Sequence, residues 1–215
     1  MRVAILSDIH GNAEALDRCL DDLQARGGAE VLVAAGDLCL DGPKPKKVLR
    51  RLREVAWCRE RIGAAWQRFL ADLPLTLTFG GADGLLVCHA NPVSDDEHVW
   101  PDADDATLER FFSGVEQQTI AFGHLHLPYV RSWRGKLLVN VASAGLPKDG
   151  DPRAHYAILT QRASGWEVQP RRVAFDVAKV ARQLRRSGIP DVDDRVKTLE
   201  RHRYPKLGAP GTPIP

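Results

Sequence analysis

Six side chains in this sequence have both the type and the placement to gather divalent metal. They are Asp8 and His10 in Asp8-Ile9-His10, Asp37 in Gly36-Asp37, His89 after Leu85-Leu86-Val87-Cys88, and His124 and His126 in Gly123-His124-Leu125-His126. Each follows a short apolar run. In extended chain the residues at i and i+2 point the same way, so Asp8 with His10, and His124 with His126, each aim two donors at one side. Imidazole and carboxylate together suit manganese, iron, zinc or nickel rather than calcium. Six such groups exceed what one tetrahedral zinc uses, so two ions fit better than one. The glycines before Asp37 and His124 would let backbone pass close to the ions.

Each donor alone has a plainer explanation. A lone His after a strand is more often a hydrogen-bonded or surface residue, and a lone Asp there is more often a helix cap or turn former. Capping of the following helix is that explanation for Asp8. The pattern decides between the two: four of the seven histidines fall at successive strand ends, whereas His98, His155 and His202 have no such partner and read as structural or surface residues.

The elements that must position these donors follow from periodicity. Residues 2–6 read as a strand, and residues 13–26 as a helix with Leu16, Leu20 and Leu23 on one face, Asn12 before it and Gly27 after. A second strand at 31–35 leads through Gly36-Asp37 and a Gly/Pro-rich loop to a helical stretch around Val48, Leu49 and Leu52, then another helix at about 60–71. Further strands are expected at 85–88, 119–122, 137–141, 155–160 and 166–173, with a helix at 104–113 carrying Leu108, Phe111 and Phe112 inward. Asp176 opens a helix with Val177, Val180, Ala181 and Leu184 on one face, and Asp191 opens another with Val192, Val196 and Leu199. Residues 205–215 are rich in Pro and Gly and read as a disordered tail. Strands alternating with helices favour a sheet with helices outside it, where ligands gather at the carboxyl ends of the strands.

Composition excludes several classes. The chain has 215 residues, 44% hydrophobic and 27% charged, with a formal net charge of +2. Its longest apolar runs fall far short of the ~20 residues a membrane span needs, and the N-terminus is too short in apolar residues for a secretory signal, so a cytoplasmic protein without a membrane segment is expected. The four cysteines, Cys19, Cys39, Cys58 and Cys88, are dispersed, which argues against a disulfide framework or a thiolate zinc site. Residues 171–215 hold 11 Lys+Arg against 5 Asp+Glu, so the basic character belongs to the C-terminal end. A nucleic-acid contact there is the weaker reading, and a solvated amphipathic face the stronger.

Asp8-Ile9-His10-Gly11-Asn12, Gly36-Asp37 with Gly42-Pro43, His89 with Pro92, Gly123-His124-Leu125-His126, and Asn140 and Ser143 followed by Lys148-Asp149-Gly150-Asp151-Pro152-Arg153 together resemble the calcineurin-like metallophosphoesterases, most closely the small bacterial and archaeal phosphodiesterase branch. The resemblance covers roughly residues 1–185. It implies an α/β fold, a four-layer αββα sandwich of two mixed β-sheets flanked by helices, in one domain over residues 1–204. It also implies that Asp8, His10 and His126 hold one metal, His89 and His124 the other, and that Asp37 bridges them. Two such cations ~3.5 to 4 Å apart share a water, acidify it to hydroxide, and neutralise the phosphoryl oxygens as that hydroxide attacks phosphorus. The expected activity is hydrolysis of a small phosphoester, a phosphodiester by preference, with one or two divalent ions, manganese first and iron, zinc or nickel after it.

One family motif is absent. The resemblance leads one to expect a Gly-Asn-His or Gly-Asn-Asp loop between Asp37 and His89, whose Asn completes the second metal and whose last residue helps bind phosphate or protonate the leaving group. No asparagine lies in that interval: the chain's asparagines are Asn12, Asn91 and Asn140. Either the loop is deleted near Val55-Ala56-Trp57-Cys58 or Arg59-Glu60-Arg61 replaces it. An arginine such as Arg61 could clamp a phosphate but cannot ligate a metal, whereas Glu60 could. The second metal site is therefore expected to be the weaker, and the leaving group to lack its acid. The alternative is a catalytically silent binding scaffold of the same fold, which has no physical need for six retained donors.

Overall fold

The structure is a computed structural model that describes residues 1–38, 72–187 and 192–204. The helices expected near 48–52 and 60–71, the segment with Arg59, Glu60 and Arg61, Gly42-Pro43, Cys39, Cys58 and the 205–215 tail lie outside the described residues.

Among the described residues, nine strands form two sheets. The first has the order β2-β1-β8-β9, from β1 (Arg2–Leu6), β2 (Val31–Ala34), β8 (Ala154–Arg162) and β9 (Gly165–Val173). The second has the order β3-β4-β5-β7-β6, from β3 (Thr76–Phe79), β4 (Leu85–Cys88), β5 (Thr119–Phe122), β6 (Tyr129–Trp133) and β7 (Lys136–Asn140). Both are mixed: β1 runs parallel to β2 and antiparallel to β8, while β5 runs parallel to β4 and β7.

Alternation along the strands builds the layers. Val3 and Ile5 of β1 point between the sheets to meet Val87, Ala121, Val139 and Leu159. Ala4 and Leu6 point the other way, onto Leu16, Cys19 and Leu23 of α1 (Ala13–Ala25). In the second sheet Leu85 and Val87 face the first, while Leu86, Ile120 and Phe122 meet Leu108, Phe111 and Phe112 of α2 (Asp105–Phe112). The order helix, sheet, sheet, helix is the expected four-layer α/β sandwich. Strands covered on both faces must be apolar throughout, which is why β1, β4 and β5 read as continuous apolar runs.

β3 and β6 do not stand out in the sequence. They are the two outermost strands of the second sheet, and Thr76-Leu77-Thr78-Phe79 and Tyr129-Val130-Arg131-Ser132-Trp133 carry polar groups on a half-exposed face. An edge strand has no need of a continuous apolar run.

Helix ends follow local chemistry. Asn12 accepts a hydrogen bond from Ala15 N at 3.1 Å and so caps α1, leaving the Asp8 carboxylate free of that role. Asp176 caps α3 (Val177–Arg185), whose Val180, Ala181 and Leu184 pack on Val196 and Leu199 of α4 (Val192–Arg201). No helix among the described residues is long and apolar enough to cross a membrane.

Candidate metal centre

Parallel pairing brings the donors to one end. Asp8 and Asp37 leave the parallel strands β1 and β2, tied together by Asp8 N donating to Gly36 O at 3.1 Å and His10 N to Asp37 O at 2.8 Å. His89 and His124 leave β4 and β5, tied by Gly123 N donating to His89 O at 2.7 Å. The two sheets join where His124 N donates to Asp8 Oδ2 at 2.8 Å. All six expected donors thus gather in two overlapping groups, Asp8, His10, Asp37 and His126 in one and Asp8, Asp37, His89 and His124 in the other, with donor atoms in each within 4.8 Å of one another.

Spacing within the groups is that of ligands around shared ions. His10 Nε2 stands 3.2 Å from His126 Nε2, and His89 Nε2 stands 3.1 Å from His124 Nδ1. Two nitrogens held at ~2.1 Å from one ion at adjacent positions lie about 3.0 to 3.4 Å apart. Asp37 Oδ2 lies 3.7 Å from His10 Nε2 and 3.9 Å from His89 Nε2, so one oxygen stands between the two histidine pairs. Asp8 Oδ1 is fully buried, 2.9 Å from His126 Nε2, and has no hydrogen bond. A buried carboxylate oxygen in that condition is costly unless a cation takes its lone pair.

Ring tautomers point the same way. His126 Nδ1 bonds Leu146 O at 2.5 Å, His89 Nδ1 bonds Ala35 O at 2.9 Å, and His124 Nε2 bonds Asp96 O at 2.9 Å. A carbonyl only accepts, so each of these nitrogens carries the proton, and in the neutral ring the nitrogen facing the centre keeps a lone pair. The donor set therefore fits one or two divalent cations.

Backbone geometry at the site is unusual. Asp8, His10, Asp37, His124 and His126 all adopt positive φ, between 45° and 64°. For residues with a Cβ this costs roughly 1–2 kcal/mol each, and such outliers cluster where function demands them. Nearby loops hold the geometry: Ser143 Oγ donates to Asp8 O at 2.7 Å, and Asn140 Nδ2 donates to Gly123 O at 2.9 Å. Gly36 and Gly123 are needed for a different reason from approach of backbone to an ion. A Cβ on Gly36 would sit 2.4 Å from His89 Nδ1, and one on Gly123 would sit 2.5 Å from Asp8 Oδ2, so each glycine makes room for a neighbouring donor's side chain.

Electrostatics favours an ionised carboxylate here. Burial, the largest influence, opposes charge on Asp8; protonated His126, His10 and His89 would outweigh it and hold the carboxyl well below the usual range, and with the rings neutral that role falls to a cation. Burial pushes the half-buried Lys148 ammonium down, while Asp8 and Asp37 favour its charge, which places it within electrostatic reach of both carboxylates.

One sequence expectation changes in this setting. His98 is no isolated surface residue: its ring centroid lies 4.5 Å from that of His124, and it stacks on Trp100 at 5.9 Å. Asn91 is no substitute for the missing asparagine, because its Oδ1 accepts from Val93 N and Ser94 N and its Nδ2 donates to Glu97 O, which consumes the amide in its own loop. His155, in contrast, is buried and lies 3.6 Å from Asp149, away from the six donors. Trp100 and Tyr204, beside His98 and Lys148, carry no sequence signal, since only the fold brings them near the centre.

Residues 1–164 match the family model described as the calcineurin-like phosphoesterase superfamily domain, and the chain belongs to that superfamily of metal-dependent phosphoester hydrolases. Among its relatives, the phosphodiesterase YfcE of Escherichia coli is 30% identical over 176 residues, covering 74% of this chain and 87% of that protein. An uncharacterized protein of Methanocaldococcus jannaschii is 25% identical over 237 residues, covering 88% of this chain and 94% of that one. The crystal structure of a metallophosphoesterase from Sphaerobacter thermophilus superimposes with a TM-score of 0.75 at 22% identity, over 94% of this chain and 99% of that one, which shows the shared fold.

Proposed function

We propose that the chain hydrolyses a small phosphodiester, with Asp8, His10, Asp37, His89, His124 and His126 holding one or two divalent cations, manganese before iron, zinc or nickel. The orphaned, fully buried Asp8 Oδ1 between the histidines is the observation that carries this reading. Bound divalent ions would supply an acidified water and neutralise phosphoryl charge.

The chain's own groups set up that chemistry. Asp8, His10 and His126 make the more enclosed group, and Asp37 stands between the two histidine pairs, as a bridging carboxylate must. Leu146 O, Ala35 O and Asp96 O fix three rings with a lone pair inward. His89 and His124 form the weaker group, because no asparagine lies between Asp37 and His89 and the Asn91 amide is already spent. Loss of the leaving-group acid should cost on the order of 10² to 10⁴ in rate, so activated esters react best.

Preference for a diester has support in the surroundings. A cavity of about 630 Å³ opens on the His89 side, lined by Leu38, Leu73, Leu75, Leu77 and Val93. Trp100, Tyr204 and Lys148 lie beside the centre through the contact of His98 with His124, and supply aromatic and cationic surface for an ester group. Tyr204 OH donates to Leu125 O at 2.8 Å, between two proposed ligands, which supports treating residues 1–204 as one unit. The unpaired, buried thiols Cys19 and Cys88 suit a reducing cytoplasm. Part of the basic C-terminal end is paired with acids elsewhere in the fold, Lys179 with Glu14, Arg171 with Asp22, and Arg172 with Asp149 and Asp151, which supports a structural or solvated face over a nucleic-acid contact.

The test is hydrolysis of bis(p-nitrophenyl) phosphate with added manganese, alongside metal content. Wild type should turn over and Asp37→Ala should lose at least a hundredfold. Equal rates for the two proteins, or fully stable protein that takes up no metal, would favour a silent scaffold instead.

A further inference from the structure

Beside the six donors, four side chains form an arc that starts at one ligand and returns to the carboxylates. His98 lies against His124, with ring centroids 4.5 Å apart. Trp100 stacks on His98 at 5.9 Å with an interplanar angle of 18°, and Tyr204 tilts against Trp100 at 5.6 Å. Lys148 Nζ then stands 4.9 Å from the Tyr204 ring centroid and within electrostatic reach of Asp8 and Asp37.

Two members of the arc lack the partners that a purely structural role would give them. Lys148 is half-buried, yet its ammonium makes no ion pair or hydrogen bond among the described residues, only the contact with the Tyr204 ring. Trp100 is 38% exposed, although tryptophan surface is among the most costly to leave in water. The backbone, by contrast, is firmly placed. Gly150 N donates to His202 O at 2.6 Å, Tyr204 N donates to Lys148 O at 3.3 Å, and Asp149 bridges Arg203, so the segment after α4 is zipped onto the Lys148 loop. That same loop carries Leu146 O, which orients His126. This platform therefore presents a partly exposed indole, a phenol ring and a cation without a direct ion pair at the edge of the proposed phosphoryl site.

We infer that Trp100, Tyr204 and Lys148 form a specificity subsite for a flat aromatic or heteroaromatic group esterified to the phosphoryl group, the rings stacking on it and Lys148 pairing with a phosphoryl oxygen. The inference rests on the phosphodiesterase reading above and deepens it. Ring faces accept any flat π-system, so the subsite selects for an aromatic group and not for one particular base.

Two measurements test it. With manganese, thymidine 5′-(p-nitrophenyl) phosphate is compared with methyl p-nitrophenyl phosphate, which has the same leaving group and no base. Wild type should prefer the base-bearing ester by about tenfold in kcat/KM, and Trp100→Leu or Tyr204→Leu should bring the ratio near one through KM. Trp100→Phe should keep most of it. In EDTA, thymidine 5′-monophosphate should quench tryptophan fluorescence of wild type with saturation, and Lys148→Met should weaken that binding about tenfold, while ribose 5-phosphate should leave the emission unchanged. An active wild type with no preference between the esters, or a preference that survives Trp100→Leu and Tyr204→Leu, overturns the subsite. If neither ester turns over, the phosphodiesterase reading has failed. The quenching titration, done without metal, then decides the subsite by itself: saturable nucleotide binding retains it and none rejects it.

Discussion

His89 Nε2 and His124 Nδ1 face each other across 3.1 Å, while each ring donates its other N–H to a backbone carbonyl, Ala35 O and Asp96 O. In neutral rings the facing atoms are both lone pairs, an arrangement that repels until a cation sits between them. Divalent metal should therefore stabilise the fold. Binding at 100 times Kd contributes about 2.7 kcal/mol, or roughly 5–10 °C in Tm for a chain of this size. Thermal denaturation of chelator-treated protein titrated with manganese or zinc checks this. His124→Ala should lower the response, and an unresponsive Tm in wild type would remove the metal reading.

Gly123→Ala should be among the most damaging small substitutions. Its Cβ would lie 2.1 Å from Ser7 Oγ and 2.5 Å from Asp8 Oδ2, both on buried residues that cannot retreat. Overpacking of this kind costs about 1–3 kcal/mol. Displacement of Asp8 should also cut metal affinity at least tenfold. Chemical denaturation and metal titration of the variant measure the two effects separately.

Ala142 carries the opposite opportunity. It is fully buried at φ 59°, a conformation that glycine adopts readily and alanine does not. Asn140 Oδ1 accepts from Ala142 N at 2.9 Å and helps hold this left-handed turn. Ala142→Gly should stabilise by roughly 0.5–1 kcal/mol with hydrolysis unchanged, because relief of strain outweighs the added chain entropy. A lower denaturation midpoint would show that the methyl's packing matters more than its backbone strain.

The sequence exposes those parts of the fold whose surroundings leave one kind of residue acceptable. β1, β4 and β5 lie between covered faces and must be apolar throughout, so their boundaries are legible within a residue or two. β3 and β6, at the sheet edges, tolerate polar residues and leave no run to find. Donors at the carboxyl ends of parallel strands are legible for the same reason, since the topology forces Asp8, Asp37, His89 and His124 to one end. The arc of His98, Trp100, Lys148 and Tyr204 is invisible because its contacts span long stretches of chain and depend on the bridge between Asp149 and Arg203. The ring tautomers escape detection too, as carbonyls of Ala35, Asp96 and Leu146 set them, and every residue has a carbonyl.

His155 predicts an acid weakness separate from the metal centre. Its ring is buried with Nε2 unpartnered, and burial pushes its pKa down to about 4. Asp149 Oδ1, 3.6 Å away, favours the proton, but Arg172 pairs with Asp149 at 2.8 Å and opposes it. An unfolded histidine titrates near 6.5. Above that value the ring is neutral in both states and the full stability is present. As pH falls from about 6.5 toward 4, the unfolded chain takes up a proton that the folded protein refuses, so stability drops, by on the order of 2 kcal/mol. His155→Gln removes the titrating group and should flatten that interval. Urea denaturation of both proteins at pH 7 and pH 4.5 checks the prediction, and an equal loss in the variant would assign the acid sensitivity to another group.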